Sequence, residues 1–235
     1  MAETSKTVSE ALTLLTVVAE APGSIADLAR RVDSPRTVVQ RLLATLRKQA
    51  FVMRLPDGRY ALGTAVTDLS GRVGTPLRLV AARHLEALAQ RLNETVVLTL
   101  RQAGEGVSVA QVVAPDRMVR VEYPPGFRHP LHVAAGGRAI LAALDDATRA
   151  SETNRAPDPA ALLTMLSRAR KRGYAVSVNE LQQGVAGLAA PVLGPGGLAV
   201  ASVGVIVPVE RFTESADLAT AVIDCARAVS AALAE

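Results

Sequence analysis

The sequence predicts an α+β protein in two parts, and three observations carry that prediction. The first is the stretch 24–63, which reads as a helix, a tight turn, a second helix and a basic β-hairpin, in that order. The second is a change of period further on, where helical spacing over 76–92 gives way to β-prone runs and then to mixed helices and strands. The third is charge. Within 24–63 eight Lys or Arg stand against three Asp, a balance of +5, while the whole chain is +4, so the remaining residues together are slightly acidic.

A first helix is expected over 5–20, with Val8, Ala11, Leu12, Leu15 and Val18 as its buried stripe, ended by Pro22-Gly23. Ser24 offers a hydroxyl to cap the next helix, in which Ile25, Leu28, Ala29 and Val32 recur at the helical period. That helix stops at Asp33. Ser34 and Pro35 then restart the chain, with a hydroxyl for an orphan N–H and a proline at the first helical position, where no N–H is needed.

In the helix that follows, Val39, Leu42, Leu43 and Leu46 fall at i, i+3, i+4 and i+7 and form a single apolar stripe. At about 100° per residue, Thr37 and Arg41 lie nearly opposite that stripe, with Gln40, Thr45 and Val38 on its flanks and Arg36 nearer the core edge. Arginine can fork onto guanine, glutamine can pair adenine, and a valine or threonine methyl can meet thymine. Any surface helix has polar residues on its free side, so it is the preceding turn and the following hairpin that mark this one as a reading helix. Residues 51–62 hold two short β-prone runs joined through Pro56-Asp57-Gly58, whose glycine supplies the positive φ a tight hairpin requires. Arg54 and Arg59 flank the tip, where they could grip phosphate or enter a minor groove. The whole is a winged helix-turn-helix, and its concentrated basic charge suits phosphate neutralisation with counterion release. Double-stranded DNA is the expected partner.

Between Gly63 and Pro76 the glycines Gly71 and Gly74 break up a short helical piece, as a linker would. Residues 76–92 carry Leu77, Val80, Ala81, Leu85, Leu88 and Leu92 on a helix, more apolar residues than one face on a lone sheet domain needs, which points to an oligomer. Strands are expected over 95–100, 107–113 and 118–123, helices over 137–144 and 159–172, strands near 174–178, 187–193 and 198–207, and a last helix over 213–233. The Ala-Pro-Asp-Pro stretch at Ala156 reads as a loop, and no internal repeat is evident.

At 235 residues with 49% hydrophobic content the chain can fill two cores, and with only 3% aromatics those cores must be built from Leu, Val and Ala. No signal segment and no apolar run of about 18 residues is present, so a cytoplasmic protein without a membrane span is expected. The single cysteine, Cys225, lies in an apolar helical segment and is expected to be a packed core thiol. His129 and His132 are separated by Pro130 and have no carboxylate or cysteine cluster near them in sequence, so no metal site is expected. His84 is expected at the surface or an interface. No nucleophile elbow, Walker loop, dinucleotide fingerprint or zinc-protease motif occurs, so no catalytic residues and no cofactor are expected.

The run LARR-x3-PRTVVQRLLATL, the wing DGRYALG, and later LHVAAGGRAILA and ELQQGVAGLAAPV together resemble the IclR family of bacterial transcriptional regulators, over essentially the whole chain. The resemblance implies a winged helix-turn-helix domain over 1–63, a linker helix over 64–75, and a GAF-like α/β effector-binding and oligomerisation domain over 76–235. It also implies a homodimer or a dimer of dimers that acts as a ligand-responsive repressor or activator. DNA contacts then fall to Ser34, Arg36, Thr37, Val38, Gln40, Arg41, Arg54 and Arg59. The family's reading helix usually has a small polar residue at the position of Val38 and histidine at that of Gln40, so operator preference does not transfer.

From the residues alone, Ala135-Gly136-Gly137 ahead of a helix has two readings: bare N–H groups offered to a carboxylate, or room for a helix to start close to a strand. The resemblance favours the first and implies an effector cavity lined by Leu131, Ala135, Gly136, Ser177, Glu180, Gly187, Gly204 and Ile206. Members that sense small organic acids tend to have Asp at the position of Ser177, Cys at Gly187, and Ser at Gly204 and Ile206. Losing those anchors favours a bulkier, partly apolar effector that still carries a carboxylate. Two alternatives stand beside this one: an effector-independent regulator, and a small-molecule-binding module or enzyme that uses its helix-turn-helix for protein interaction.

Overall fold

The computed structural model describes residues 5–70, 72 and 75–234. The chain divides into two compact units, Met1–Val73 and Gly74–Glu235. Gly71 and Gly74, where the sequence places the breaks of the linker, lie outside the described residues.

The first unit runs α1 (Lys6–Glu20), α2 (Ile25–Arg31), α3 (Arg36–Lys48), β1 (Val52–Arg54), β2 (Tyr60–Leu62) and α4 (Thr64–Ser70). Its core joins Leu14 and Val18 of α1 to Leu28, Val39, Leu43 and Val52. The stripe on α1 is therefore not the one expected. Val8 and Leu12 are 57% and 61% exposed, while Ala11, Leu14, Leu15 and Val18 turn inward. Residues 11–19 are so uniformly apolar that two helical registers fit, and packing against α2 and α3 decides between them.

Ser24 caps α2 as expected and does so within a reciprocal box: its hydroxyl accepts from Asp27 N–H at 3.2 Å, and the Asp27 carboxylate accepts from Ser24 N–H at 3.4 Å. The Ser24 hydroxyl and then Arg30 hold the Asp27 carboxyl below its usual range. Ser34 does not cap α3. Pro35 occupies the cap position itself, its carbonyl accepts from Val38 and Val39 N–H, and no side chain caps the helix.

β1 and β2 pair antiparallel with Arg54 opposite Tyr60, and the turn closes through Gly58, whose φ is +86°. Tyr60 also exchanges backbone hydrogen bonds with Gly23, which ties the hairpin to the α1–α2 turn.

The second unit runs α5 (Thr75–Leu92), β3 (Thr95–Gln102), β4 (Glu105–Val112), β5 (Arg128–Pro130), α6 (Ala135–Ala142), α7 (Asp146–Thr153), α8 (Pro159–Arg172), β6 (Ala175–Val178), β7 (Val185–Leu193), β8 (Ala199–Pro208) and α9 (Ala216–Leu233). The strands form one antiparallel sheet in the order β5-β4-β3-β8-β7-β6. Helices cover both faces, so the central strands are apolar throughout rather than alternating.

The pleat divides the work. Val96 and Leu98 of β3, Leu188 and Val192 of β7, and Val203 and Val205 of β8 pack with α5 and α9 in the main core. The intervening residues, among them Val97, Thr99, Gly187, Ala189, Ser202, Gly204 and Ile206, turn to the opposite face, the one α6 covers. Cys225 on α9 is a buried thiol aimed at the His84 carbonyl at 3.4 Å, and burial pushes its pKa to about 11.

Three expectations for this unit need correction. Residues 118–123 form no strand: Met118 is 100% exposed, and Tyr123 bonds instead to side chains, its N–H to Gln111 Oε1 and its carbonyl to Ser108 Oγ. The strand that does pair with β4 on that edge is β5, over residues 105–107 of β4. α7, capped by Asp145, is a helix the sequence reading passed over. The third concerns α5, whose Leu77, Leu85 and Leu88 are buried in the unit's own core and leave no apolar surplus there; Leu79, 72% exposed, is the residue left outside. Among the described residues no helix is long and apolar enough to cross a membrane.

Candidate functional site

On the first unit, the stripe Val39, Leu42 and Leu43 fixes how α3 lies, and Arg36, Thr37, Gln40 and Arg41 are consequently exposed. Val38 is half-buried against the core, and Ser34 is half-buried at the turn. At the wing, Arg59 is paired with Asp57 at 2.7 Å, and the Arg59 N–H and guanidinium hold the Asp57 carboxyl low. Arg54, Arg36 and Arg41 have no carboxylate partner among the described residues. Their charge is available to a polyanion.

On the second unit, a small cavity of about 40 Å³, open at its mouth, lies between the sheet and the start of α6. Strand register builds its floor. Ser177, Gly187 and Ile206 stand in one cross-strand row, Ala189, Gly204 and Val97 in the next, and Thr99 one row further on, opposite the buried Ser202. Small residues at Gly187, Ala189 and Gly204 leave the space. Six of the eight residues named from the sequence border it: Ala135, Gly136, Ser177, Gly187, Gly204 and Ile206.

The other two do not. Leu131 is buried in the core beneath α6. Glu180 gives both carboxylate oxygens to Arg138, at 2.5 and 2.8 Å, and that guanidinium, almost wholly buried, also donates to the Val176 carbonyl. Leu181 and Gln182, next along the chain, reach the cavity instead.

The two readings of the glycine pair separate, one to each residue. A Cβ on Gly137 would lie 2.3 Å from the Leu131 carbonyl oxygen, so this glycine permits close packing. A Cβ on Gly136 would point at the sheet, 3.2 Å from the buried Ser202 Oγ and 3.3 Å from Oγ1 of Thr99, which lines the cavity. The N–H of Ala135 is already taken by Ser177 Oγ at 3.1 Å, whereas those of Gly136 and Gly137 have no partner among the described residues.

Thr99, Tyr123, His129 and Gln182 line the cavity without having been named from the sequence. Pairing β3 with β8 and following alternate residues would have found Thr99, but Tyr123 comes from an irregular segment and His129 from a three-residue edge strand. These residues also correct the picture of a cavity stripped of polar anchors, since its polar groups come from other strands. No Asp, Glu, Lys or Arg lines it among the described residues. Burial holds the His129 pKa below the usual histidine range and pushes that of Tyr123 up. No group of His, Cys, Asp and Glu among the described residues could hold a metal ion.

A winged helix-turn-helix joined in one chain to a domain with a built small-molecule cavity defines a DNA-binding regulator with a sensing domain. Two family models match this chain: the IclR helix-turn-helix domain over residues 7–56 and the bacterial transcriptional regulator IclR C-terminal domain over residues 73–231. The glycerol operon regulatory protein of Streptomyces griseus is 33% identical over 223 residues, covering 88% of this chain and 87% of that protein. Among solved structures, the IclR transcriptional regulator from Alicyclobacillus acidocaldarius superposes with a TM-score of 0.87 at 24% identity, over 98% of this chain and 100% of that one. An IclR homolog from Microbacterium hydrocarbonoxydans, complexed with 4-hydroxybenzoate, gives a TM-score of 0.84 at 20% identity, over 97% and 99%. The chain belongs to the IclR family of transcriptional regulators. It is a DNA-binding regulator with a ligand-sensing domain, and not an enzyme.

Proposed function

We propose that this protein is a cytoplasmic, homodimeric regulator that reads its operator through α3 and the wing and responds to a small, partly apolar carboxylate held in the cavity. Winged helix-turn-helix, linker helix and effector domain are read as 1–63, 64–75 and 76–235. The observation that carries the effector class is the start of α6, where the unpaired N–H of Gly136 meets a cavity with an apolar floor and no charged side chain among the described residues. A helix N-terminus attracts an anion, and the floor suits an apolar body. The structurally similar homolog that holds 4-hydroxybenzoate points to the same ligand chemistry.

Dimerisation rests on two grounds. One reading helix covers too few base pairs for tight specific binding, and a linked pair gains by effective concentration. Val8, Leu12 and Leu79 are exposed apolar side chains that neither core uses.

The test is operator binding, with the operator obtained by selection from random DNA. Arg41→Ala should weaken specific binding by about 1–3 kcal/mol and relax preference at one base position. Aromatic or medium-chain carboxylates should shift the wild-type affinity more than glyoxylate or pyruvate does. Unchanged affinity in the variant would remove Arg41 from the reading surface, and a response to two- or three-carbon acids alone would overturn the effector class.

A further inference from the structure

We propose that the cavity selects a carboxylate that also bears a hydroxyl, and that His129 makes the selection by accepting a hydrogen bond from that hydroxyl at Nε2. The inference rests on the cavity being the effector site and names the second group the effector must carry.

The position of the ring comes from strand pairing. His129 of β5 stands opposite Gly106 of β4, and a Cβ on Gly106 would fall 2.6 Å from its Cε1 and 2.8 Å from its Nε2. The imidazole therefore lies over the bare glycine, where any other residue would exclude it. That same point is 3.1 Å from Thr99 Cγ2, while Thr99 Oγ1 lies 3.3 Å from where a Cβ on Gly136 would be. Thr99 thus stands between the imidazole and the start of α6. On the ring's other side Phe127 packs with its centroid 6.5 Å away and is itself stacked on Tyr123 at 4.5 Å.

Its protonation follows from its partner. Nδ1 is 3.0 Å from the Pro130 carbonyl oxygen, which can only accept, so Nδ1 carries the proton. Burial to 6% exposure keeps the ring neutral, which leaves Nε2 a lone pair and no hydrogen. Nε2 has no protein partner among the described residues.

The other polar side chains of the wall can donate as well as accept, Gln182 through its amide. The hydroxyls of Thr99, Ser177 and Tyr123 rotate, and each donates or accepts as the ligand requires. Nε2 can only accept. A ligand that turns an apolar end or a second anion toward it leaves a buried acceptor unpaired, whereas a hydroxyl satisfies it.

The experiment is calorimetric titration of the full-length protein at neutral pH with two sets of acids: 4-hydroxybenzoate against benzoate and 4-methoxybenzoate, and 8-hydroxyoctanoate against octanoate. In at least one set the hydroxylated acid should bind about tenfold or more tightly than its partners. His129→Phe should bring that ratio close to one, and His129→Gln, whose amide oxygen can accept, should restore part of it. The wild-type comparison stands even if a variant folds poorly, and the thermal midpoint of each variant reports that directly. Equal binding of parent and hydroxylated acids overturns the role of His129 while leaving the cavity as an effector site. If none of the five acids binds, the reading of the cavity falls and this inference falls with it.

Discussion

His129 is the side chain of the cavity wall whose charge would change near neutrality, and its burial has a consequence for stability that can be measured. Because the folded protein holds its pKa below the usual value near 6.5, the unfolded chain takes up the proton first as pH falls. The stability this neutral ring contributes is present above about pH 6.5 and is lost as pH drops toward the folded pKa. The thermal midpoint of the wild type should therefore fall between about pH 7 and pH 5.5 by more than that of His129→Phe. Parallel slopes in the two proteins would show that the ring titrates as it does in the unfolded chain. Nothing in the sequence distinguished His129, because its burial depends on a glycine 23 positions earlier, Gly106, that only strand pairing brings beneath it. Thr37, Gln40 and Arg41 were legible for the opposite reason: their exposure follows from the apolar stripe of their own helix, with no distant contact needed. Val38 marks the limit of that argument, since a flank position on the wheel becomes half-buried once the neighbouring core is in place.

The two residues of the glycine pair in α6, Gly136 and Gly137, make separate predictions for one short element. Gly137→Ala would press its methyl to within 2.3 Å of the Leu131 carbonyl oxygen, a backbone atom that cannot swing aside, and overpacking of this kind costs about 1–3 kcal/mol. Gly136→Ala brings its methyl 3.2 and 3.3 Å from two hydroxyls and 3.6 Å from Thr99 Cβ, so it should lower the ligand-free midpoint less than Gly137→Ala does while reducing the midpoint rise that a bound carboxylate gives. Thermal melts with and without 4-hydroxybenzoate separate the two, and equal loss of stability in both would contradict the division of roles. Elements with local signals were readable in advance: the wing from Pro56-Asp57-Gly58, and α2 from Ser24. Elements settled by partners were not. α1 had two apolar faces to choose between, and residues 118–123 alternate as a strand does but the backbone groups of Tyr123 go to the Gln111 and Ser108 side chains of β4 and not to its backbone. α7 is mostly polar and its cap at Asp145 is its one signal.

At the scale of the whole molecule, the apolar residues outside both cores should have a use in an assembly. Light scattering at micromolar concentration should give at least a dimer, and operator affinity should fall steeply with salt in proportion to the phosphates contacted by two linked wings and reading helices. A monomer under those conditions would remove the half-site argument. The two-domain organisation was legible because each part has its own signal, concentrated basic charge in the first and mixed periods in the second. The cavity lay deeper, because its floor is assembled from four strands in non-consecutive order.

That floor is also a partition one residue thick. On β7 and β8 every side chain facing the cavity is followed by one locked into the core with α5 and α9: Gly187 by Leu188, Gly204 by Val205. Glycine at these points puts bare backbone against whatever fills the space, so pressure there acts on the strand itself and has no side chain to absorb it. A close-packed interior has little slack, and the displacement passes straight through to the helices on the far side. The sheet would then act as a diaphragm, and α9, which packs against both β7 and β8, is where its deflection would be felt.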